Sequence, residues 1–253
     1  MQYMNETIKS QLAHRTIREF TDKPLSKDLI EGLVLVASRT ATSNGLQASS
    51  IIRVTDKTIK EGISKVCNQE FVARFPELWI FIVDQYRNGQ IAKENDCFEE
   101  SIGDMDRFFQ GFTDACLMAH NVECAAESLG LGTVYLGSIL NDPAKIIELL
   151  KLPKLTFPVL GLGFGYPNQD PQLKPRMDME FRMFENTYTV WDNYSELINE
   201  YDKEMQTYYD LRQANQRVDS FSKQVVTKLT NVNPIRQKMV KDIISQGFDL
   251  MID

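Results

Sequence analysis

The chain has 253 residues, a formal net charge of −7 and 43% hydrophobic residues. This length fits one domain, or one domain with an extension, and the apolar content is enough for a large core. The acidic balance argues against nucleic acid as a partner, and no apolar run approaches the roughly 18 residues of a membrane span. The N-terminus lacks the basic-then-apolar pattern of a secretory signal, so we expect a cytoplasmic protein.

Four cysteines occur at positions 67, 97, 116 and 124, and none forms a CxxC pair. Cys116, His120 and Cys124 share one helical stripe, which is a possible metal site. Small and apolar residues surround this stripe, so we favour reduced cysteines in the core and predict no bound metal.

The first two predicted helices have clear starts. Asn5 can cap a helix with Ile8 and Leu12 on one face, and Pro24 marks the break that follows. Ser26 can cap a second helix. The predicted apolar face of this second helix contains Leu29, Ile30, Leu33, Val34 and Ala37.

The middle of the chain alternates strands and helices. Residues 50–55 and 78–83 read as strands, the second apolar on both faces, with a short helix at about 57–66 between them. A long helix is predicted over about 98–129, ending at Gly130. Its second half is small and apolar nearly all round, so we expect it inside the protein or in a subunit interface.

The remaining predicted elements complete an α+β arrangement with one central sheet. Strands are expected at 133–137 and 159–164, with a helix that begins at Pro143 between them. Residues 166–176 read as a loop, and residues 194–251 as mostly helical with a break near 231–234.

The segment His14-Arg15-Thr16-Ile17-Arg18-Glu19-Phe20 concentrates cations in an acidic chain. Arg15 and Arg18 are three residues apart at the predicted end of the first helix, where they would share one face. Paired guanidinium groups suit a phosphate or an anionic ring edge, and the alternative is a pair of solvated surface arginines.

Motifs for nucleophilic catalysis or nucleotide loops do not stand out, and the glycines at 161, 163 and 165 lack a phosphate-loop context. Other polar residues instead sit at element ends, in segments 42–44, 135–138 and 174–176. Such a dispersed set suits a bound cofactor that performs its own redox chemistry.

Six blocks of the chain, taken in their order along the sequence, resemble the oxygen-insensitive nitroreductase and flavin reductase family, in its larger, NADPH-preferring branch. The blocks are residues 14–20, 46–52 (LQASSII), 125–132 (AAESLGLG), 134–138 (VYLGS), 149–153 (LLKLP) and 173–176 (LKPR). Each block is weakly specific, but the ordered set is highly specific. The resemblance covers about residues 5 to 248.

The resemblance implies an α+β fold, a three-layer α/β/α sandwich around a central, mostly antiparallel sheet. It implies a single domain over residues 1–253, including a C-terminal helical extension at about 194–253. It also implies a homodimer with two sites for non-covalently bound FMN at the subunit interface. The expected activity is a ping-pong transfer from NADPH, with NADH as a second candidate, to a nitroaromatic, a quinone or free flavin.

The resemblance also assigns residues to the cofactor. His14, Arg15, Thr16 and Arg18 would contact the flavin, with Arg18 near its N1/O2 edge. Gln69 would bond the pyrimidine edge, and Lys174 and Arg176 would hold the 5′-phosphate. The backbone donors expected near N5 come from Tyr135, Leu136, Gly137 and Ser138.

The resemblance assigns two further pairs of residues, one to the cofactor site of the other subunit and one to NADPH. Thr42 and Ser43 would arrive from the other subunit, and Arg212 and Arg217 would engage the NADPH phosphate. No side chain is expected to act as a catalytic acid or base, since the cofactor carries the chemistry.

The chain departs from its relatives where Asn44 and Gly45 replace further serines and an aromatic residue, which leaves its acceptor range open. The alternative function is a non-catalytic FMN-binding or flavin-carrier protein. A third possibility is an interaction protein without cofactor, which would leave the cationic cluster unexplained.

Overall fold

The computed structural model describes residues 4–211 and 219–249, which divide into two compact units. The first unit contains the described residues up to 171 and those from 233 onward. The second unit lies within residues 172–232.

The first unit combines seven described helices with four strands. The helices are α1 (Glu6–Leu12), α2 (Lys27–Ser38), α3 (Lys57–Cys67), α4 (Tyr86–Glu94), α5 (Met105–Ser128), α6 (Pro143–Leu149) and, near the C-terminus, α10 (Met239–Ser245). The strands are β1 (Ser49–Arg53), β2 (Glu77–Asp84), β3 (Gly132–Leu136) and β4 (Thr156–Gly165).

The four strands form one sheet in the order β1-β2-β4-β3, and each neighbouring pair is antiparallel. Seven of the eight residues of β2 are buried, as its apolar sequence predicts for a central strand covered on both faces. Helix α5 packs along the sheet, and α6 packs against β4. The predicted α+β arrangement with one antiparallel central sheet is confirmed.

Helix starts follow the capping residues of the sequence. The side chain of Asn5 accepts a hydrogen bond from the Ile8 amide at 2.9 Å, and Ser26 accepts one from Leu29 at 3.2 Å. Pro143 occupies the first turn of α6. Gly130, with φ of +78°, follows the end of α5, so its predicted role beyond the helix terminus is confirmed.

The predicted start of the long helix at about residue 98 is wrong. Helix α5 begins at Met105, because Asp104 caps it by accepting a hydrogen bond from the Arg107 amide at 2.8 Å. Residues 100–103 form a separate 3₁₀ turn. Helix α4 was not predicted.

Two expectations about burial also fail in the single chain. Val34 was placed on the buried face of α2 but is 51% exposed. Cys116 and Cys124 of the helical stripe are expected in the core but are half-buried, while Cys67 is buried and Cys97 is exposed.

The C-terminal segment returns to the first unit. The Gln246 side-chain amide donates to the carbonyls of Pro153 and Thr156, both at 2.9 Å, beside the start of β4. Phe248 is buried, and its ring lies 5.0 Å from that of Phe108 on α5. These contacts attach residues 246 and 248 to the start of β4 and to α5.

The second unit is built from helices α7 (Tyr194–Leu197), α8 (Asn199–Leu211) and α9 (Phe221–Thr230). Asp202 on α8 accepts hydrogen bonds from the amide and hydroxyl of Ser222 at 2.9 and 2.5 Å, which joins α8 to α9. The rings of Tyr201 and Phe221 lie 5.4 Å apart across the same pair. The mostly helical character predicted beyond residue 194 is confirmed for the described residues.

Candidate functional site

The cationic segment 14–20 runs beside β3, the edge strand of the sheet. Thr16 pairs in parallel with Thr133, and the Ile17 amide donates to the Thr133 carbonyl at 2.8 Å. A Cβ on Gly132 would lie 2.7 Å from Ile17, so only glycine permits this close approach.

The prediction that Arg15 and Arg18 share one helix face is wrong. Helix α1 ends at Leu12, and the pairing of Thr16 with β3 makes the segment extended, with a side-chain period of two. In an extended segment, side chains three positions apart point to opposite sides, so Arg15 and Arg18 do not share a face.

His14 contacts two carboxylates of α5. Its Nδ1 lies 3.0 Å from Glu123 and 2.8 Å from Glu127. Hydrogen bonds to Glu123 and then to Glu127 raise the pKa of His14 to about 10. His14 is therefore an imidazolium at neutral pH, and the segment carries a third cation.

A loop beyond β4 fixes the rest of the segment. The Gln169 side-chain oxygen accepts hydrogen bonds from the amides of Arg18 and Glu19 at 2.5 and 2.8 Å. The guanidinium of Arg15 donates to Asp170 at 2.5 Å. Both arginines thus belong to a segment whose backbone is tied on two sides.

The structure brings Gln69 to the turn that follows β3. The Ser138 hydroxyl donates to the Gln69 side-chain oxygen at 3.0 Å. Leu136 is buried and anchors the turn, whereas Tyr135 is 38% exposed. Burial and then the charge of Glu123 raise the pKa of Tyr135, so its hydroxyl stays protonated.

The turn itself is open at Gly137. A Cβ added there would meet no atom within 4 Å, and the Gly137 carbonyl accepts a hydrogen bond from Arg236 at 3.1 Å. Within the described part of the chain, no side chain caps the 3₁₀ turn of residues 137–141. Its first amides are therefore available to a ligand.

The loop with Thr42 and Ser43 is attached to α5. The buried Asp114 accepts hydrogen bonds from the Ser43 amide at 2.8 Å and the Ala48 amide at 3.1 Å. Asn44 and Gly45 have φ of 51° and 70°, a left-handed conformation that strains Asn44 far less than most side chains. These two hydrogen bonds to Asp114 attach the loop to α5.

The four remaining predicted site residues are outside the first unit or outside the described residues. Lys174 and Arg176 belong to the second unit, where the Arg176 guanidinium donates to the Lys174 carbonyl at 3.1 Å. Arg212 and Arg217 lie outside the described residues.

Sequence reasoning missed three acids, one amide and one guanidinium that contact the predicted site segments. They are Asp114, Glu123, Glu127, Gln169 and Arg236. A usable signal existed for Glu123 and Glu127, since two carboxylates four residues apart in a small, apolar helix stretch require cationic partners.

Two of the three residues of the suggested metal stripe, His120 and Cys124, come together. The Cys124 sulfur lies 3.6 Å from Nε2 of His120 and 3.6 Å from a Glu123 oxygen. Burial raises the pKa of both Cys116 and Cys124, which keeps these thiols protonated.

In the described ranges, no helix is both long and apolar enough to cross a membrane.

Comparison with known families matches almost the whole chain. A model of the nitroreductase family matches residues 12–166, and a model of that family's C-terminal domain matches residues 174–251. The oxygen-insensitive NADPH nitroreductase of Salmonella typhimurium is 38% identical over 231 residues, which cover 91% of this chain and 93% of that protein. The FMN reductase (NADPH) of Bacillus subtilis is 37% identical over 226 residues, covering 88% and 91%.

Solved structures agree with this result. The NfrA2 protein of B. megaterium superposes with a TM-score of 0.91 and 32% identity, covering 98% of this chain and 100% of that one. The NADPH:FMN oxidoreductase of Vibrio harveyi, complexed with NAD⁺, superposes with a TM-score of 0.83 and 31% identity, covering 96% and 99%. The fold and the family resemblance expected from the ordered motifs are confirmed.

Proposed function

The chain therefore belongs to the nitroreductase family, and we propose that it is an FMN-dependent oxidoreductase that uses NADPH in a ping-pong cycle. Bound FMN supplies the redox chemistry, in which a hydride from NADPH is taken up and two electrons pass to a nitroaromatic, a quinone or free flavin. The names of the Salmonella nitroreductase and the Bacillus FMN reductase support the reductant and the flavin.

One observation carries the proposal: segment 14–20, Gln69 and the turn 135–138 come from three distant parts of the sequence and meet at β3 or the turn after it. The side of the turn at Gly137 is open, where any larger side chain would fill the space that a flat ring needs. These residues fit FMN, because they combine cations with uncapped backbone amides.

The residues of the turn would orient the cofactor. Amides at the start of the 137–141 turn would donate to ring acceptors, while Gln69, held by Ser138, would face the pyrimidine edge. Arg18 would place positive charge near the N1/O2 edge, which favours a ring that has gained electrons. Arg236 would keep the turn in place through its bond to the Gly137 carbonyl.

The phosphate ends of the two nucleotides need separate donors. Lys174 and Arg176 would bind the 5′-phosphate of FMN, because both are cations in the short, proline-bounded segment after residue 171. Arg212, with Arg217 as a second candidate, would bind the 2′-phosphate of NADPH, which NADH lacks. We therefore expect NADPH to be preferred over NADH.

We further propose a homodimer in which Thr42 and Ser43 complete the site of the partner. The exposed apolar side chains of α2 and α5 support it, since Val34, Leu35, Phe109 and Leu117 are each between 45% and 63% exposed in the single chain. Neighbouring helices α2 and α5 thus both offer unburied apolar surface. The chain would act as one functional domain, with the helices beyond residue 194 as its extension.

Steady-state kinetics test the cycle. Rates measured at several NADPH and quinone concentrations should give parallel double-reciprocal lines, because the oxidised nucleotide, NADP⁺, leaves before the acceptor binds. Intersecting lines would contradict the ping-pong order. A protein that retains FMN but shows no turnover with NADPH would instead be the flavin carrier.

The phosphate assignment has its own test. Replacing Lys174 and Arg176 together by Ala should weaken FMN binding to the apoprotein by a few kcal/mol, since hydrogen bonds to charged groups contribute roughly 1.5–3 kcal/mol each. Arg182, an exposed cation of the same unit that bonds the Met177 carbonyl, provides the control. Unchanged affinity in the double variant would refute the assignment.

A further inference from the structure

The carboxylates that surround His14 form a fixed arrangement. Glu123 is 5% exposed, and one of its oxygens lies 3.0 Å from His14 Nδ1. Glu127 lies 2.8 Å from the same nitrogen, and its oxygen also accepts a hydrogen bond from the Thr133 hydroxyl at 2.7 Å. Both acids lie on α5 and Thr133 lies on β3, so contacts from two elements fix the position of the carboxylates that accept hydrogen bonds from His14.

We propose that Glu123 and Glu127 are positioning residues that keep His14 as an imidazolium, so that its Nε2–H is a charged donor to an anionic oxygen of bound FMN. This inference rests on the proposed function and extends it to two acids that would not touch the cofactor. Nδ1 and Nε2 lie on different edges of the ring, so bonds from Nδ1 to the acids leave Nε2 pointing away from them.

The protonation state decides what His14 offers a ligand. A neutral imidazole that donates from Nδ1 has a lone pair on Nε2, which would repel an anionic oxygen. An imidazolium donates from both nitrogens. Among the described residues, the structure gives Nε2 no hydrogen-bond partner, and the side chain is 28% exposed. The donor is therefore available at the surface of the segment.

The charges around His14 favour this state. Burial raises the pKa of Glu123, but the hydrogen bond to His14 and the charge of His14 outweigh burial and leave that pKa below its ordinary value. The second oxygen of Glu123 lies 3.1 Å from His120 and 3.6 Å from the Cys124 thiol, and these contacts lower the pKa further. Tyr135 on β3 is uncharged because burial raises its pKa. On the same segment as His14, the nearest cation is Arg15, whose charge Asp170 offsets.

The first experiment measures the protonation of His14 directly. The chain has two histidines, so an ¹⁵N spectrum contains two imidazoles, and a His120→Gln variant assigns them. The purified full chain should show His14 with both nitrogens protonated from about pH 6 to pH 8.5. In a Glu123→Gln/Glu127→Gln variant, His14 should titrate near its ordinary value of about 6.5.

Should the double variant not fold, Glu127→Gln alone should lower the titration midpoint of His14. A wild-type His14 that titrates near pH 6.5 would overturn the proposal. This measurement needs neither NADPH nor an acceptor, so its outcome is independent of whether the chain is a reductase.

The second experiment tests the link to the cofactor. The Kd for FMN of the double variant, divided by that of the unmodified chain at the same pH, should rise by about tenfold between about pH 5.5 and 8.5, as His14 of the variant loses its proton. Taking this ratio removes the contribution of the FMN phosphate, whose second pKa of about 6 lies in the same range. Asp106→Asn, which removes an exposed carboxylate from the same helix, is the matched control and should behave as the unmodified chain. If FMN binding by the double variant is weaker than that of the unmodified chain by the same factor at every pH, the role of Glu123 and Glu127 is merely structural and the proposal is overturned.

Discussion

At the scale of single residues, His14 couples stability to pH. Its folded pKa of about 10 exceeds the unfolded value of 6.5, so its stabilising contribution is complete below about pH 6.5 and is lost as pH rises toward 10. The contribution of Glu123 has the opposite sense, because its pKa is lowered, and is lost as pH falls below about 4.5.

A His14→Gln variant should therefore differ most from the unmodified chain at about pH 5–6.5. The difference in free energy of unfolding should shrink steadily as pH rises from about 6.5 to 10. Urea denaturation at a series of pH values measures it. A difference that does not vary over this range would show that His14 is not bound as a cation.

Asp114 holds the loop that carries Thr42 and Ser43. It is fully buried, and Asp114→Ala would leave the amides of Ser43 and Ala48 without their acceptor. At about 1–3 kcal/mol for each amide left without its acceptor, we expect a loss of roughly 2–6 kcal/mol. Thermal or urea unfolding measures this loss.

The control for Asp114 is Asp106→Ala on the same helix. Asp106 is exposed and bonds the Gln110 side chain, so its removal should cost less than about 1 kcal/mol. Equal losses from the two variants would mean that the loop does not depend on Asp114.

At the scale of elements, the packing of α5 depends on a glycine. A Cβ on Gly111 would lie 2.6 Å from the Ala48 carbonyl oxygen and 2.8 Å from Val83, so Gly111→Ala should destabilise the protein by about 1–3 kcal/mol. Gly32 on α2 has no atom within 4 Å of such a Cβ. Gly32→Ala should therefore stabilise the helix by about 0.5–1 kcal/mol.

Unfolding of the two alanine variants under identical conditions gives the comparison. The expected result is opposite signs for the same chemical change. A Gly111→Ala variant as stable as Gly32→Ala would show that α5 can move away from β1 and β2 without cost.

Elements were predictable where local chemistry decides them. Capping by Asn5 and Ser26, Pro143 at a helix start and the apolar run of β2 all act within a few residues. The start of α5 was misplaced because Phe98 and Ile102 extend its apolar pattern, and only the cap at Asp104 interrupts the helix. Segment 14–20 is extended because β3 pairs with it, and that contact joins positions more than 100 residues apart.

At the scale of the whole molecule, the predicted site residues fall into two groups, those whose contacts lie within the first unit and those whose proposed contacts lie outside it. His14, Gln69 and Ser138 are predicted site residues that the family resemblance alone points to, and the structure gives them partners within the first unit. The roles of Thr42, Lys174 and Arg212 depend on a second chain, on the second unit or on residues outside the described ranges. Local sequence patterns carry no information about such distances.

The proposed dimer leads to a prediction at this scale. Sedimentation should give one species near twice the 29.1 kDa mass of the chain, because apolar surface on α2 and α5 would otherwise face water. A Leu117→Lys variant should dissociate or bind FMN less tightly, since a lysine there would place an unpaired charge in the interface. The control is Leu229→Lys, at an exposed apolar residue of α9 that has no role in the proposed site or interface. A flavin-loaded monomer of the unmodified chain would contradict the two-subunit site.

The central claim is that NADPH reduces a flavin held by this chain. Purified protein reconstituted with FMN should be yellow, and stoichiometric NADPH added without oxygen should bleach its visible absorption. Addition of a quinone should then restore the colour, since the two half-reactions are separate. Protein that keeps its flavin colour with excess NADPH under the same conditions would contradict the account.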